Sequence, residues 1–265
     1  MMYIWKEWKE QSRGKGLWLA LGIVLLLSLF IFLETRTLPL ENSFQVLLLS
    51  LYEMNVYIIP LLCLFLASFS VLQEKELKTL MIITTKKENY RSFLIKKGFA
   101  IHSVIAGTII GMYVLLAVPM KVFYLFTLPH FFSFIGTMLV FIVIFNQIGL
   151  LLGTVCQTKM QLVGANIFTW FLFVFLIDLI FLYYLPAVSY ENIMSFSILF
   201  FLDPLHTLPF HLQSSLGVLS LEHMSRLMEK LVWMSPSKFL FVDLFVWTVI
   251  PFELAVFVGA RRGQR

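Results

Sequence analysis

Six long apolar runs, at about 17–33, 54–72, 98–119, 131–155, 162–185 and 239–260, alternate with shorter polar segments along the chain. A hydrocarbon core of about 30 Å takes roughly 20 apolar residues in a helix rising 1.5 Å per residue. Each run is close to that length or beyond it. In lipid every backbone polar group must be satisfied within the segment, so the runs are read as helices. The pattern predicts an all-α polytopic membrane protein: one transmembrane domain over residues 1–265 with six transmembrane helices. The first run is short and follows basic residues, as a signal peptide would. It exits through Phe32-Leu33-Glu34-Thr35-Arg36 with no small-x-small cleavage site, and is read as an uncleaved span. Residues 193–202 are also apolar, but ten residues cross only about half a bilayer and Asp203-Pro204 ends the run. They are read as a re-entrant or interfacial helix within a long loop, 186–238.

The segments between the spans carry their own periodicity. On a helical wheel of the N-terminal segment, whose helix is placed at 2–13, Met1, Ile4, Trp5, Trp8 and Ser12 share one side, with Lys6, Lys9, Glu10 and Arg13 on the other. That division predicts an interfacial helix, with Trp5 and Trp8 as anchors at headgroup depth. The 73–97 loop opens with Gln73-Glu74-Lys75-Glu76 and continues through Leu77, Leu80, Met81, Ile82 and Ile83. This reads as a short amphipathic helix. Thr85-Lys86-Lys87-Glu88 then matches a capping box, where a second helix starts toward the third span. In the 186–238 loop, Leu221, Met224, Leu227, Met228 and Leu231 recur at helical spacing over about 220–234. Ser220 is a candidate N-cap there, with Glu222 and Arg226 an i,i+4 pair. Together with 193–202 it predicts an apolar lid over one mouth of the bundle.

Composition confirms the class and charge sets the orientation. Of 265 residues 60% are apolar and 13% charged, against about 45–50% and about 25% in soluble domains. That excludes a soluble enzyme, a disordered chain and a disulfide-rich secreted scaffold. Residues 1–16, 73–97, 159 and 261–265 hold 15 of the 20 Lys and Arg residues. By the positive-inside rule these regions, both termini included, are expected in the cytoplasm, and the 186–238 loop outside.

Candidate chemistry is sparse. The chain has no Walker-type phosphate loop, no HExxH, no G-x-S-x-G and no dinucleotide fingerprint, so no catalytic residue is assigned and no enzyme activity is expected. Cys63 and Cys156 lie in apolar stretches and form no CxxC pair. The five histidines show no metal-ligand spacing on one helix, so no metal is expected; nor is a nucleic-acid partner. Asp178 and Glu253 lie inside spans, where an acidic residue costs about 2.5–3.5 kcal/mol to insert and should face protein or water. They are read either as a polar seam lining a path or as packing groups. Asn146, Gln147 and His102 are read as interhelical hydrogen-bonding groups. An intramembrane enzyme would need Asp178 and Glu253 within a few ångströms of each other.

The arrangement resembles an ABC-2 type transporter permease, nearest to its NosY-like branch. Three stretches carry the resemblance: Glu74-Lys75-Glu76-Leu77-Lys78-Thr79-Leu80 followed by Lys97, Thr154 to Asp178 with Trp170, and Phe201-Leu202-Asp203-Pro204. The first is similar to the family's coupling segment. The last resembles its Asn-Pro or Asp-Pro element, here Asp203 and Pro204. The sequence departs from the family at Lys78, where Gly is common, and at Lys86, where Pro is frequent. The resemblance implies a permease subunit in the plasma membrane of a bacterium, dimerising with a second permease copy, identical or related. It further implies two copies of a separate ABC ATPase that carry ATP and Mg, with no cofactor in this chain, and export as the direction. The coupling helix would be carried by Glu74, Glu76, Thr79 and Leu80, with Met81 and Ile82 in the apolar patch beside them. The alternative expectation is a membrane subunit of a regulatory or immunity complex without transport.

Overall fold

The computed structural model describes residues 2–37, 39–77, 89–219 and 226–262. Within these it is helical, with no strand. A short helix α1 (Met2–Arg13) turns at Gly14 into α2 (Lys15–Thr35), and the Trp18 Nε1–H donates to the Ser12 carbonyl across the corner, 2.7 Å. Helix α3 (Leu40–Glu76) follows, then α4 (Tyr90–Phe123) and α5 (Leu128–Val155). Next come α6 (Lys159–Phe171), a π-helical turn (Leu172–Leu176) and α7 (Ile177–Tyr184), which form one continuous rod. A bent hairpin of α8 (Ile193–Phe200) and α9 (Pro204–Ser215), the short α10 (Arg226–Leu231) and α11 (Pro236–Arg262) complete the chain. Six of these helical stretches are long and apolar enough to cross a membrane. The hairpin, bent by 92°, passes the same test only if its two arms are taken together.

Local chemistry accounts for the breaks. Pro129 stands in the first turn of α5, where its missing N–H costs nothing. The Thr158 hydroxyl accepts from the Gln161 N–H and caps α6. Asp203 caps α9 by accepting the Leu205 N–H at 3.1 Å, and Pro204 follows as the first helical residue.

Two helices are longer than their apolar runs suggest. Helix α3 has 37 residues and, at 1.5 Å per residue, extends for about 55 Å. It starts well before residue 54 and absorbs residues 73–76 as its last turn. Glu74 and Glu76 therefore belong to the second spanning helix and not to a separate amphipathic one. Polar residues do not stop α3 because they find partners inside the bundle. Asn55, for example, donates to the Leu51 carbonyl and to the Tyr113 hydroxyl on α4. The remainder of the coupling segment, with Thr79, Leu80, Met81 and Ile82, lies outside the described residues, as do the 85–88 capping box and residues 220–225.

The core is built on α3 and α5, the most extensive helix pair in the bundle. Gly149 and Gly153, spaced as G-x-x-x-G, let the two backbones touch. A Cβ on Gly149 would stand 2.9 Å from the Ala67 Cβ, and one on Gly153 would stand 2.5 Å from the Ser68 carbonyl oxygen. Around this seam pack Phe134, Phe141, Phe145 and Phe173, with Leu47, Leu48, Leu51 and Leu64 from α3. Helix α9, which follows the 193–202 run, packs inward. Leu205, Thr207, Leu208 and Leu212 are buried against α11, α5 and α3, so the second arm of the hairpin is part of the core.

The seam yields a direct test. Gly153→Val would force the α3 backbone away and is expected to destabilise the protein by about 1–3 kcal/mol. Gly164→Val, where a Cβ meets nothing within 4 Å, serves as the reference. Thermal unfolding of both variants in the same detergent should lower the midpoint for Gly153→Val alone.

Candidate functional site

Two polar clusters occupy opposite ends of the bundle. At the end that carries α1 and the 78–88 connection, three helices meet through charge. Lys97 on α4 is 1% exposed, and its ammonium donates to Glu7 Oε2 on α1 at 2.6 Å and to Glu74 Oε1 on α3 at 3.2 Å. Glu7 is equally buried and accepts from Ser70 Oγ at 2.5 Å and Gln11 Nε2 at 3.2 Å. Lys6 reaches Glu74 from the surface at 2.6 Å. Burial opposes the Lys6 charge, but the hydrogen bond and charge of Glu74, with Glu10 and Glu7, outweigh it and hold the ammonium above its usual pKa. Two cations thus face two carboxylates with their hydrogen bonds largely filled, the condition under which a buried ion cluster persists.

The same turn of α3 grips two further helices. Lys75 Nζ donates to the carbonyls of Gly153 and Thr154 at 2.6 and 2.5 Å and to that of Cys156 at 3.2 Å, capping the C-terminus of α5. A cation there complements the helix dipole and satisfies carbonyls that have no intrahelical partner. Glu76 pairs with Lys159 in the first turn of α6 at 3.0 Å. Tyr90 at the start of α4 donates to Thr154 Oγ1 at 3.2 Å. Arg91 pairs with Glu253 on α11 at 2.6 Å, both side chains about half exposed.

Glu253 is therefore held at this end of the bundle and not deep in a seam. Asp178 is at the other end, so the two acids do not form a catalytic pair. Asp178 Oδ1 lies 3.1 Å from His206 Nε2, and His206 Nδ1 lies 2.8 Å from Asp203 Oδ2. Asp178 is 60% exposed, whereas Asp203 is buried under the hairpin. Phe200 and Phe181 pack on the His206 ring at centroid distances of 4.1 and 5.2 Å and fix its orientation. Behind Asp203, away from solvent, are Asp243 on α11 and Tyr52 on α3, each 1% exposed. Neither the Asp243 carboxylate nor the Tyr52 hydroxyl has a hydrogen-bond partner.

The residues singled out in the sequence thus divide. Glu74 and Glu76 join the charged end, and Asp178 and Asp203 meet through His206. Trp5 and Trp8 remain exposed on α1, while its third face, Glu7, packs inward. Sequence periodicity sorts α1 into an apolar and a basic side and passes over Glu7, whose neighbours are Lys6 and Trp8. Only the approach of α4 gives it meaning. Asn146 is buried with neither side-chain polar atom hydrogen-bonded, so the expected interhelical bond is absent there. Asn166 supplies one instead, donating to Ser68 Oγ at 2.8 Å. Comparison with known proteins adds no relationship: no family model matches the chain, and no curated protein matches it.

Removing the central cation should expose the cost of the charged cluster. Lys97→Met leaves Glu7 buried with no cation at hydrogen-bond distance and removes one of the two cations on Glu74, and is expected to cost about 3–5 kcal/mol. The triple variant Lys97→Met, Glu7→Gln, Glu74→Gln should recover much of that loss. Denaturant titration of the two variants in detergent reads both effects.

Proposed function

We propose that the chain is the permease subunit of an ABC-2 type ABC transporter. It pairs with a second permease copy, is driven by separate ATPase subunits, and exports a substrate from the cell. The observation that carries this reading is the anchoring of the 78–88 connection. The helix that enters it ends in Glu74, Lys75 and Glu76, which bind α1, α4, α5 and α6. The helix that leaves it is tied to α1 and α3 through Lys97. A load applied to this connection by a soluble partner passes into five helices through ion pairs and lysine–carbonyl hydrogen bonds of 2.5–3.2 Å. The chain has no phosphate-binding loop of its own, so the work must come from elsewhere. Leu77, at the start of the connection, is exposed and apolar, as a docking segment requires.

In this mechanism ATP-driven closure of the two ATPases brings the two connections together. Because each is fastened to α1, α3 and α4, the helices tilt as a group and the path opens to the other side.

The test is co-purification. The tagged chain, taken from the membranes of its own cell in mild detergent, should carry a soluble ATPase with it, and Leu80→Asp should abolish that association. Retention of the ATPase by Leu80→Asp would remove the coupling assignment. A complex that forms but gives no ATP-dependent flux in vesicles would assign the chain to a regulatory or immunity complex instead.

A further inference from the structure

We propose that Asp178, Asp203 and His206 form a binding site for one divalent transition-metal cation, where the bent hairpin meets α7. One donor atom from each residue lies within 4.8 Å of the other two. The residues come from different elements: Asp178 from α7, just after the π-helical turn, and Asp203 and His206 from the cap and first turn of α9. No spacing along one helix could reveal them. The proposal does not depend on the permease reading.

The placement of the imidazole between two carboxylates carries the argument. Asp203 is fixed as the α9 cap through Oδ1, and its Oδ2 faces His206 Nδ1 at 2.8 Å. A carboxylate only accepts, so Nδ1 is the donor in this contact. This is the arrangement in which metal-binding histidines are oriented by an outer carboxylate. Nε2, the free side of the ring, faces Asp178 Oδ1 only 3.1 Å away. A positive centre must join these two atoms; a proton on Nε2 or a bound cation supplies it, and saturable metal binding distinguishes the two. A zinc-sized ion has nitrogen and oxygen bonds of about 2.0–2.2 Å, so it would bridge 3.1 Å at an angle of about 95°. That lies between octahedral and tetrahedral geometry. The half-exposed Asp178 leaves the remaining coordination positions open to water.

The surrounding charge points the same way. Asp243 lies beside the Thr207 hydroxyl and within electrostatic reach of Asp203, yet it accepts no hydrogen bond, because that hydroxyl donates to the Phe201 carbonyl. The buried Tyr52 hydroxyl is likewise unpartnered and within reach of Asp203. Among the described residues no Lys or Arg pairs with Asp178, Asp203 or Asp243, and their only ionic partner is His206. Two carboxylates flank one imidazole, with Asp243 behind Asp203, and this leaves a negative excess that a divalent cation would offset. A mixed imidazole and carboxylate donor set favours zinc or manganese over calcium, which prefers all-oxygen ligands. The bound ion would also fasten the start of α9 to α7, two elements that otherwise touch through Phe181 and the hairpin rings.

The experiment uses the full chain, purified in detergent and stripped of metal, with zinc as titrant and cobalt as spectroscopic probe. Calorimetry should show one saturable equivalent of zinc, cobalt should develop ligand-field bands, and zinc should raise the unfolding midpoint. Asp178→Asn, at an exposed position that should not disturb folding, and His206→Gln should each weaken binding at least 10-fold and remove the thermal shift. Asp203→Asn keeps a capping side chain and should weaken binding about 10–100-fold through loss of the orienting carboxylate. His130→Gln, which alters a partly exposed histidine in the first turn of α5, should bind as the unaltered chain does. Absence of saturable zinc binding, or binding that survives both Asp178→Asn and His206→Gln, would overturn the proposal.

Discussion

The arrangement of the bundle's charged end depends on the ammonium of Lys97 being paid back in hydrogen bonds once it leaves water. An ion placed against a membrane core is expensive, and the cost falls only when opposite charge and hydrogen-bond acceptors are fixed around an ammonium. Here the two carboxylates come from separate helices, Glu7 from α1 and Glu74 from α3. The pairing therefore cannot form within any one segment. It forms only when α1, α3 and α4 have reached their places, which ties the position of the N-terminal helix to the packing of the spans. Lys75 and Glu76, the next two residues on α3, extend the same logic to α5 and α6.

Much of this was legible in the sequence. The six spans follow from length and hydropathy, and a helix at the N-terminus follows from the wheel. The helix expected within 193–202 is the first arm of the hairpin. Periodicity could not see beyond single segments. It divides α1 into lipid-facing and basic sides, and the burial of Glu7 depends on a partner 90 residues away. It ends the second span at 72 because Glu74 and Glu76 look too polar to continue, and the ionic contacts that allow continuation are tertiary. The α3–α5 seam did have a local signature: Gly149 and Gly153 four residues apart in an apolar helix mark close packing.

The other end shows why a scan for ligand spacing returned nothing. Asp178 lies in one rod and His206 in a hairpin that folds back into the core. The hairpin is placed by apolar burial of Leu205, Leu208 and Leu212, not by its polar residues. The polar group is a by-product of how that hairpin packs, aimed by the Asp203 cap and the rings of Phe181 and Phe200. Asp178 and Glu253, each an isolated acid in an apolar run, have distinct environments: one beside an imidazole under the hairpin, one beside a guanidinium at the far end.

The glycine seam also bears on how the bundle can deform. Helices separated by layers of long side chains can slide, because rotamers readjust as they move. Where Gly149 and Gly153 bring one main chain against another, there is no such cushion. Helices α3 and α5 must turn as a single strut, so shape change falls to the loosely enclosed rods around them, α2, α6–α7 and α11, whose flanks are mostly bare.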